Sequence, residues 1–144
     1  MATTSRAVAT WEGVLRTGKG HYEAGSGTFR GDYSFATRFE GATGTNPEEL
    51  LAAAHAACLS MALSVGLEQA GTPPERIRTT AHCTIDKVAD GFRVTRMRLE
   101  VRGTAPGATQ AAFARAARAA KEGCPISQAL KGNVPMELDA KLEG

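Results

Sequence analysis

The 144-residue sequence predicts an α+β protein, mostly antiparallel, with one long helix at its centre. Three observations predict it. Residues 46–71 open with helix-start residues, close at a glycine and are apolar nearly all the way round. Two strand-like runs, TAHCTIDKV and FRVTRMRLEV, flank the turn signal Ala89-Asp90-Gly91. The C-terminal NVPMELDAKL alternates cleanly, placing Val134, Met136, Leu138, Ala140 and Leu142 inward. The order of elements is strands, long helix, hairpin, helix, strand, and the length fits one domain over residues 1–144.

Along the chain, RAVATWEGVLR alternates as a strand, TGKG suits a hairpin turn and HYEA returns as the second strand. The glycines of GSGTFRG are a poor phosphate loop, because no GKS or GKT and no helix follow. YSFATRFE reads as the next strand, with Tyr33, Phe35 and Phe39 on one face and Ser34, Ala36, Arg38 and Glu40 on the other. Asn46 then caps a helix, with Pro47 at its first position, Glu49 three residues after the cap, and Gly71 as its stop. In FRVTRMRLEV, Phe92 and Val94 share one parity while Met97, Leu99 and Val101 share the other. A bulge near Thr95–Arg96 repairs that slip. TQAAFARAARAAKEG reads as a second helix ending at Gly123, with Arg115, Arg118 and Glu122 on a solvated stripe, and PISQAL as a short third helix.

Composition narrows the function classes. A net charge of +2 with both signs well mixed gives no electrostatic footprint for nucleic acid or an anionic membrane. The apolar run Leu50–Leu67 approaches membrane-span length but carries His55, Ser60 and Ser64, so a buried helix of a soluble protein is the expectation. No secretory signal opens the sequence, and three widely spaced cysteines, an odd count, argue for reduced thiols in the cytoplasm.

Those cysteines are the candidate chemistry. Cys58 lies mid-helix, where the dipole helps little, so a reactive thiolate there needs a nearby cation. Cys124, just before Pro125, falls at or near the N-cap of PISQAL, where free amide groups favour a thiolate; on local physics it is the better placed of the two. His55, three residues before Cys58, shares its helix face and is a possible cation or general base. A metal site of His55, Cys58, His82 and Cys83 is disfavoured, since His82 and Cys83 are adjacent and point to opposite faces of a strand. Cys83 shares a face with Ala81 and Ile85 and reads as core; His21 reads as surface. Arg38 has Glu40 two residues along its strand as a partner, and Glu48 suits the first helical turn.

TNPEELLAAAHAACLSMALS, the upstream TRFEG and the downstream GCPIS resemble the OsmC branch of the OsmC/Ohr family of thiol peroxidases. The resemblance runs from Trp11 through GCPISQALK, and two cysteines in separate local contexts make it specific. Cys83 and the alanine-rich second helix lie outside the matched motifs. The resemblance implies an intertwined homodimer whose long central helices are backed by antiparallel sheet, with two sites at the interface. It implies Cys58 as the peroxidatic cysteine, Cys124 as the resolving cysteine, and Arg38 and Glu48 as the active-site arginine and glutamate; His55 is not required in that pattern. It further implies hydroperoxide substrates, organic ones favoured by an apolar pocket of Leu, Met and Phe side chains. A Cys58–Cys124 disulfide is then reduced by a dithiol such as a protein-bound lipoyl group, with no bound cofactor, metal or flavin. The rival readings are a cysteine hydrolase or acyl-transfer enzyme using Cys58 and His55, which needs no Cys124, and a non-catalytic binding domain whose thiols are core.

Overall fold

A computed structural model describes residues 1–144. They form two compact units, Met1–Leu50 and Leu51–Gly144.

The first unit holds a three-stranded antiparallel sheet of β1 (Ala7–Glu12), β2 (Lys19–Ala24) and β3 (Arg30–Tyr33), in that order. Gly20 lies beneath two rings: a Cβ there would come within 2.5 Å of Tyr33 and 2.8 Å of Trp11. The third strand departs from expectation. It occupies the end of the glycine-rich stretch, and the segment expected to be a strand is a helix, α1 (Phe35–Phe39). Ser34 starts it with a reciprocal capping box. Its hydroxyl accepts from the Thr37 amide at 3.2 Å, and Thr37 Oγ1 accepts from the Ser34 amide at 2.8 Å. Phe35 and Phe39 meet one turn apart, centroids 5.0 Å. An i, i+4 pair also satisfies a two-residue alternation, so the pattern fitted both structures and the cap decided between them.

α2 (Pro47–Gln69) starts at the end of the first unit and runs unbroken. Asn46 Oδ1 accepts from the Glu49 amide at 2.8 Å, the expected cap, and Gly71 adopts φ +85° where the chain turns away.

In the second unit, β4 (Arg76–Val88) and β5 (Gly91–Thr104) form the antiparallel hairpin, and β6 (Met136–Leu142) completes the order β4-β5-β6. Thr84 pairs with Arg96 and Ile85 with Val94, so Thr95 is the extra residue of the bulge and Met97, Leu99 and Val101 face inward, fully buried. β6 pairs with β5 in parallel. The connection between them carries α3 (Gln110–Gly123) and α4 (Pro125–Leu130), long enough for the crossover a parallel pair requires. Phe113 of α3 seats on β5 at Gly103, where a Cβ would come within 2.7 Å of its ring.

Leu59, Leu63 and Leu67 of α2 join Met97, Leu99, Val101 and Phe113 in the core, each leucine contributing ~2 kcal/mol by burial. The opposite side of the same helix is uncovered. Ala54, Ala57, Met61 and Val65 are exposed, Met61 at 74%, where the sequence led us to expect burial all round. A helix with no polar face has nothing on that side to solvate it.

Candidate active site

Two clusters contain the residues singled out from the sequence, one in each unit. In the first unit, Arg38 projects from α1 and Glu48 from the first turn of α2. Arg38 Nη2 donates to Glu48 Oε1 at 2.6 Å, and its Nε donates to both carboxylate oxygens at 3.1 and 3.2 Å. Glu48 is buried and Arg38 half-buried, with its guanidinium 5.3 Å from the centre of the Phe39 ring. The partner of Arg38 is therefore Glu48, not Glu40: once Ser34 caps a helix, the two-residue neighbour no longer shares a face. This fork-on-carboxylate geometry fixes the guanidinium while leaving N–H donors for an anion.

In the second unit, α2 and α4 bring the two thiols together. Cys124 is the N-cap of α4, its Sγ accepting from the Ser127 amide at 3.4 Å. Cys124 and the backbone of Ile126 are the neighbours that bear on the Cys58 thiol. Burial pushes the Cys58 thiol up. The Ile126 backbone opposes this, while the neighbouring Cys124 adds to it. All three cysteines are thiols, and Cys83 lies partly buried against the core as expected. His82 instead lies beside Glu100, at 3.4 Å, on the other face of β4.

His55 is fully buried on α2 and its Nε2 is 2.7 Å from Ser127 Oγ, while Nδ1 has no partner. Burial lowers its pKa below the usual imidazole value, so it is neutral at physiological pH. It is bonded to Ser127 rather than to Cys58, which removes the hydrogen bond that a Cys58–His55 hydrolase pair requires. Ser127 is the site residue that sequence reasoning missed. Its place three residues after the N-cap was visible, but its reach to a histidine 72 residues earlier was not.

Comparison with known proteins identifies the family. The model of the family described as OsmC-like protein matches residues 40–139. The chain is 44% identical to the peroxiredoxin OsmC of Escherichia coli over 142 residues, covering 98% of this chain and 99% of that protein. It is 37% identical to the organic hydroperoxide resistance protein OhrB of Bacillus subtilis over 103 residues, 71% of this chain and 74% of that one. Among solved structures, the crystal structure of OhrB from Bacillus subtilis superposes with a TM-score of 0.72 at 27% identity, covering 94% of this chain and 98% of that one. An organic hydroperoxide resistance protein OsmC from Legionella pneumophila shares the fold with a TM-score of 0.76 at 24% identity, covering 98% of each chain. The chain belongs to the OsmC-like protein family.

Proposed function

We propose that this chain is a cysteine-based peroxidase that reduces organic hydroperoxides, and hydrogen peroxide more weakly, in defence against oxidative stress. The observation that carries the reading is a second thiol, Cys124, in the core cluster that Cys58 packs against and near enough to bear on its titration. Relatives named for peroxiredoxin activity and organic hydroperoxide resistance supply the substrate class. The Cys58 thiolate attacks the terminal oxygen of the hydroperoxide. An S–O bond forms, the O–O bond breaks, and the alkoxide leaves and takes a proton to become an alcohol. Cys124 then attacks the Cys58 sulfenic acid, forming the disulfide and releasing water. A dithiol, such as a protein-bound lipoyl group, returns both thiols. The working unit is a homodimer, and reduced thiols suit a cytoplasmic setting. Mixing reduced protein with one equivalent of cumene hydroperoxide should consume two thiols per peroxide and yield an intramolecular disulfide. Unchanged thiols in the folded protein would sink the reading.

Arg38 and Glu48 of a second copy of the chain complete the site in this proposal. Cys58 needs a cation, because burial holds its thiol above the ordinary value and only the thiolate attacks. Arg38, fixed by Glu48, supplies that cation and a donor for the peroxide. The Arg38→Lys variant should therefore lose about 10- to 100-fold in the first step, since one ammonium cannot hold carboxylate and thiolate together. The sign of the pH effect follows. Without the guanidinium the thiolate fraction rises with pH towards the raised Cys58 value, so Arg38→Ala should gain rate steadily on the alkaline side of neutrality while wild type stays level. Near-wild-type rates in Arg38→Lys, or parallel pH profiles in Arg38→Ala, would remove Arg38 from this role.

A further inference from the structure

The resolving thiol sits at one end of a buried hydrogen-bonded chain that the proposed peroxidase chemistry does not yet use. Cys124 Sγ donates to Ser127 Oγ at 3.1 Å, and Ser127 Oγ lies 2.7 Å from His55 Nε2. Cys124, Ser127 and His55 are each 1% exposed or less. Donation runs one way along the chain. Cys124 Sγ already accepts from the Ser127 amide at 3.4 Å. The Cys124 proton is directed to Ser127. A serine hydroxyl has a single hydrogen, so with Oγ accepting from Cys124 that hydrogen goes to His55 Nε2. The imidazole then carries its own proton on Nδ1, the atom with no partner.

We propose that Ser127 and His55 form a proton relay for the resolving step, in which His55 accepts the proton of Cys124 through Ser127 as the disulfide forms. The proposal rests on the roles assigned above to Cys58 and Cys124. As the Cys124 sulfur bonds to the sulfur of the Cys58 sulfenic acid, the S–O bond breaks and hydroxide leaves with its electron pair. Cys124 is oxidised from the thiol to the disulfide level and Cys58 is reduced from the sulfenic acid to the disulfide level. The Cys124 proton moves to Oγ while the Ser127 proton moves to Nε2. The hydroxide takes a proton from water, and His55 gives up its own to solvent before the next turnover, so the net products are disulfide and water. Burial suits His55 to this role. It keeps the ring neutral and ready to accept, and with Nδ1 unpartnered nothing stabilises a lasting imidazolium. Ser127 touches the reacting sulfur; His55 acts through it as a positioning and proton-holding residue.

Two measurements test the relay. The first needs no turnover. Nitrogen-15 spectra of the reduced wild-type protein should give His55 as the neutral Nδ1–H tautomer with Nε2 as acceptor; an Nε2–H tautomer or an imidazolium overturns the relay. The second separates the two steps after a single equivalent of cumene hydroperoxide, trapping sulfenic acid with nitrobenzofurazan chloride at intervals across neutral pH. Relative to the first step in the same protein, the second step should slow ~100-fold in Ser127→Ala and in His55→Gln, and should become proportional to hydroxide in both. His55→Gln retains a side-chain hydrogen bond but no base, and Ser127→Thr, which keeps the hydroxyl, should restore much of the rate. A slower second step with the wild-type pH profile means a structural tie only and overturns the relay, as does an unchanged second step. No sulfenic acid on Cys58 in the Cys124→Ser variant would instead defeat the assigned cysteine roles, and the tautomer would still report on the chain itself.

Discussion

Cys58→Ser should reduce hydroperoxide turnover to background, while Cys124→Ser should reduce one peroxide per site and stop at the sulfenic acid. The prediction sets chemistry against local physics. Cys124 is the N-cap of α4 and accepts a backbone amide, the usual setting for an activated thiol, whereas Cys58 lies in mid-helix with its thiol pushed up by burial. Cys124, however, is 1% exposed, and its proton is already engaged by Ser127. Cys58 is the more open of the two. An incoming peroxide therefore meets Cys58 first, and Cys124 is placed to attack what forms there. A dimedone adduct on Cys58 in Cys124→Ser, with one equivalent of cumene hydroperoxide consumed, is the expected mass-spectrometric result. If Cys124→Ser cannot carry out that first reduction while Cys58→Ser can, the two roles are reversed. Subsequent turnovers should fail in both variants, because a disulfide needs both sulfurs before a dithiol can reset the site.

Elements whose identity rests on local chemistry were legible before the structure. Asn46, Pro47 and Gly71 mark the ends of α2 because capping and left-handed backbone are properties of single residues, and the parity slip around Thr95 announces the bulge for the same reason. Features that depend on distant partners were not. Phe35 and Phe39 satisfy both a strand and a helix period, and only the Ser34–Thr37 box separates the two. The alternation of Met136 to Leu142 identifies a strand but carries no sign of its direction, which is set by the crossover through α3 and α4. At the site, Cys58 and Cys124 could be nominated singly, but their meeting depends on α4 folding back to α2. The Arg38–Glu48 fork depends on a helix where a strand was expected, so only family resemblance had joined them to the chemistry. His55 was visible as a polar residue on an apolar helix; what it does needed Ser127.

Mixing Glu48→Ala and Cys58→Ser chains, each inactive alone, should restore peroxidase activity under conditions of subunit exchange. The argument begins with α2, which is unbroken from Pro47 to Gln69 and carries both residues. Ten residues of α-helix separate them by ~15 Å along the axis and leave them on different faces. A glutamate side chain cannot close that distance, and an arginine clamped to it spans only part. If Glu48 and its bound Arg38 act on Cys58, we infer that they act on the Cys58 of a second copy. The uncovered face of α2, with Ala54, Ala57, Met61 and Val65, supports this, because two copies pairing along it would remove from water the apolar surface that one chain leaves exposed. In a mixed dimer one site lacks both groups and the other has both. Random exchange of equal amounts makes half the dimers mixed, so recovery should approach about a quarter of the wild-type rate. Mixing Glu48→Ala with Arg38→Ala should restore nothing, since both residues come from the same chain and every site then lacks one of them. If mixed dimers form, as native mass spectrometry can establish, and the Glu48→Ala and Cys58→Ser mixture stays inactive, the carboxylate serves its own chain and α2 must bend in a way that its unbroken hydrogen-bonded run does not suggest.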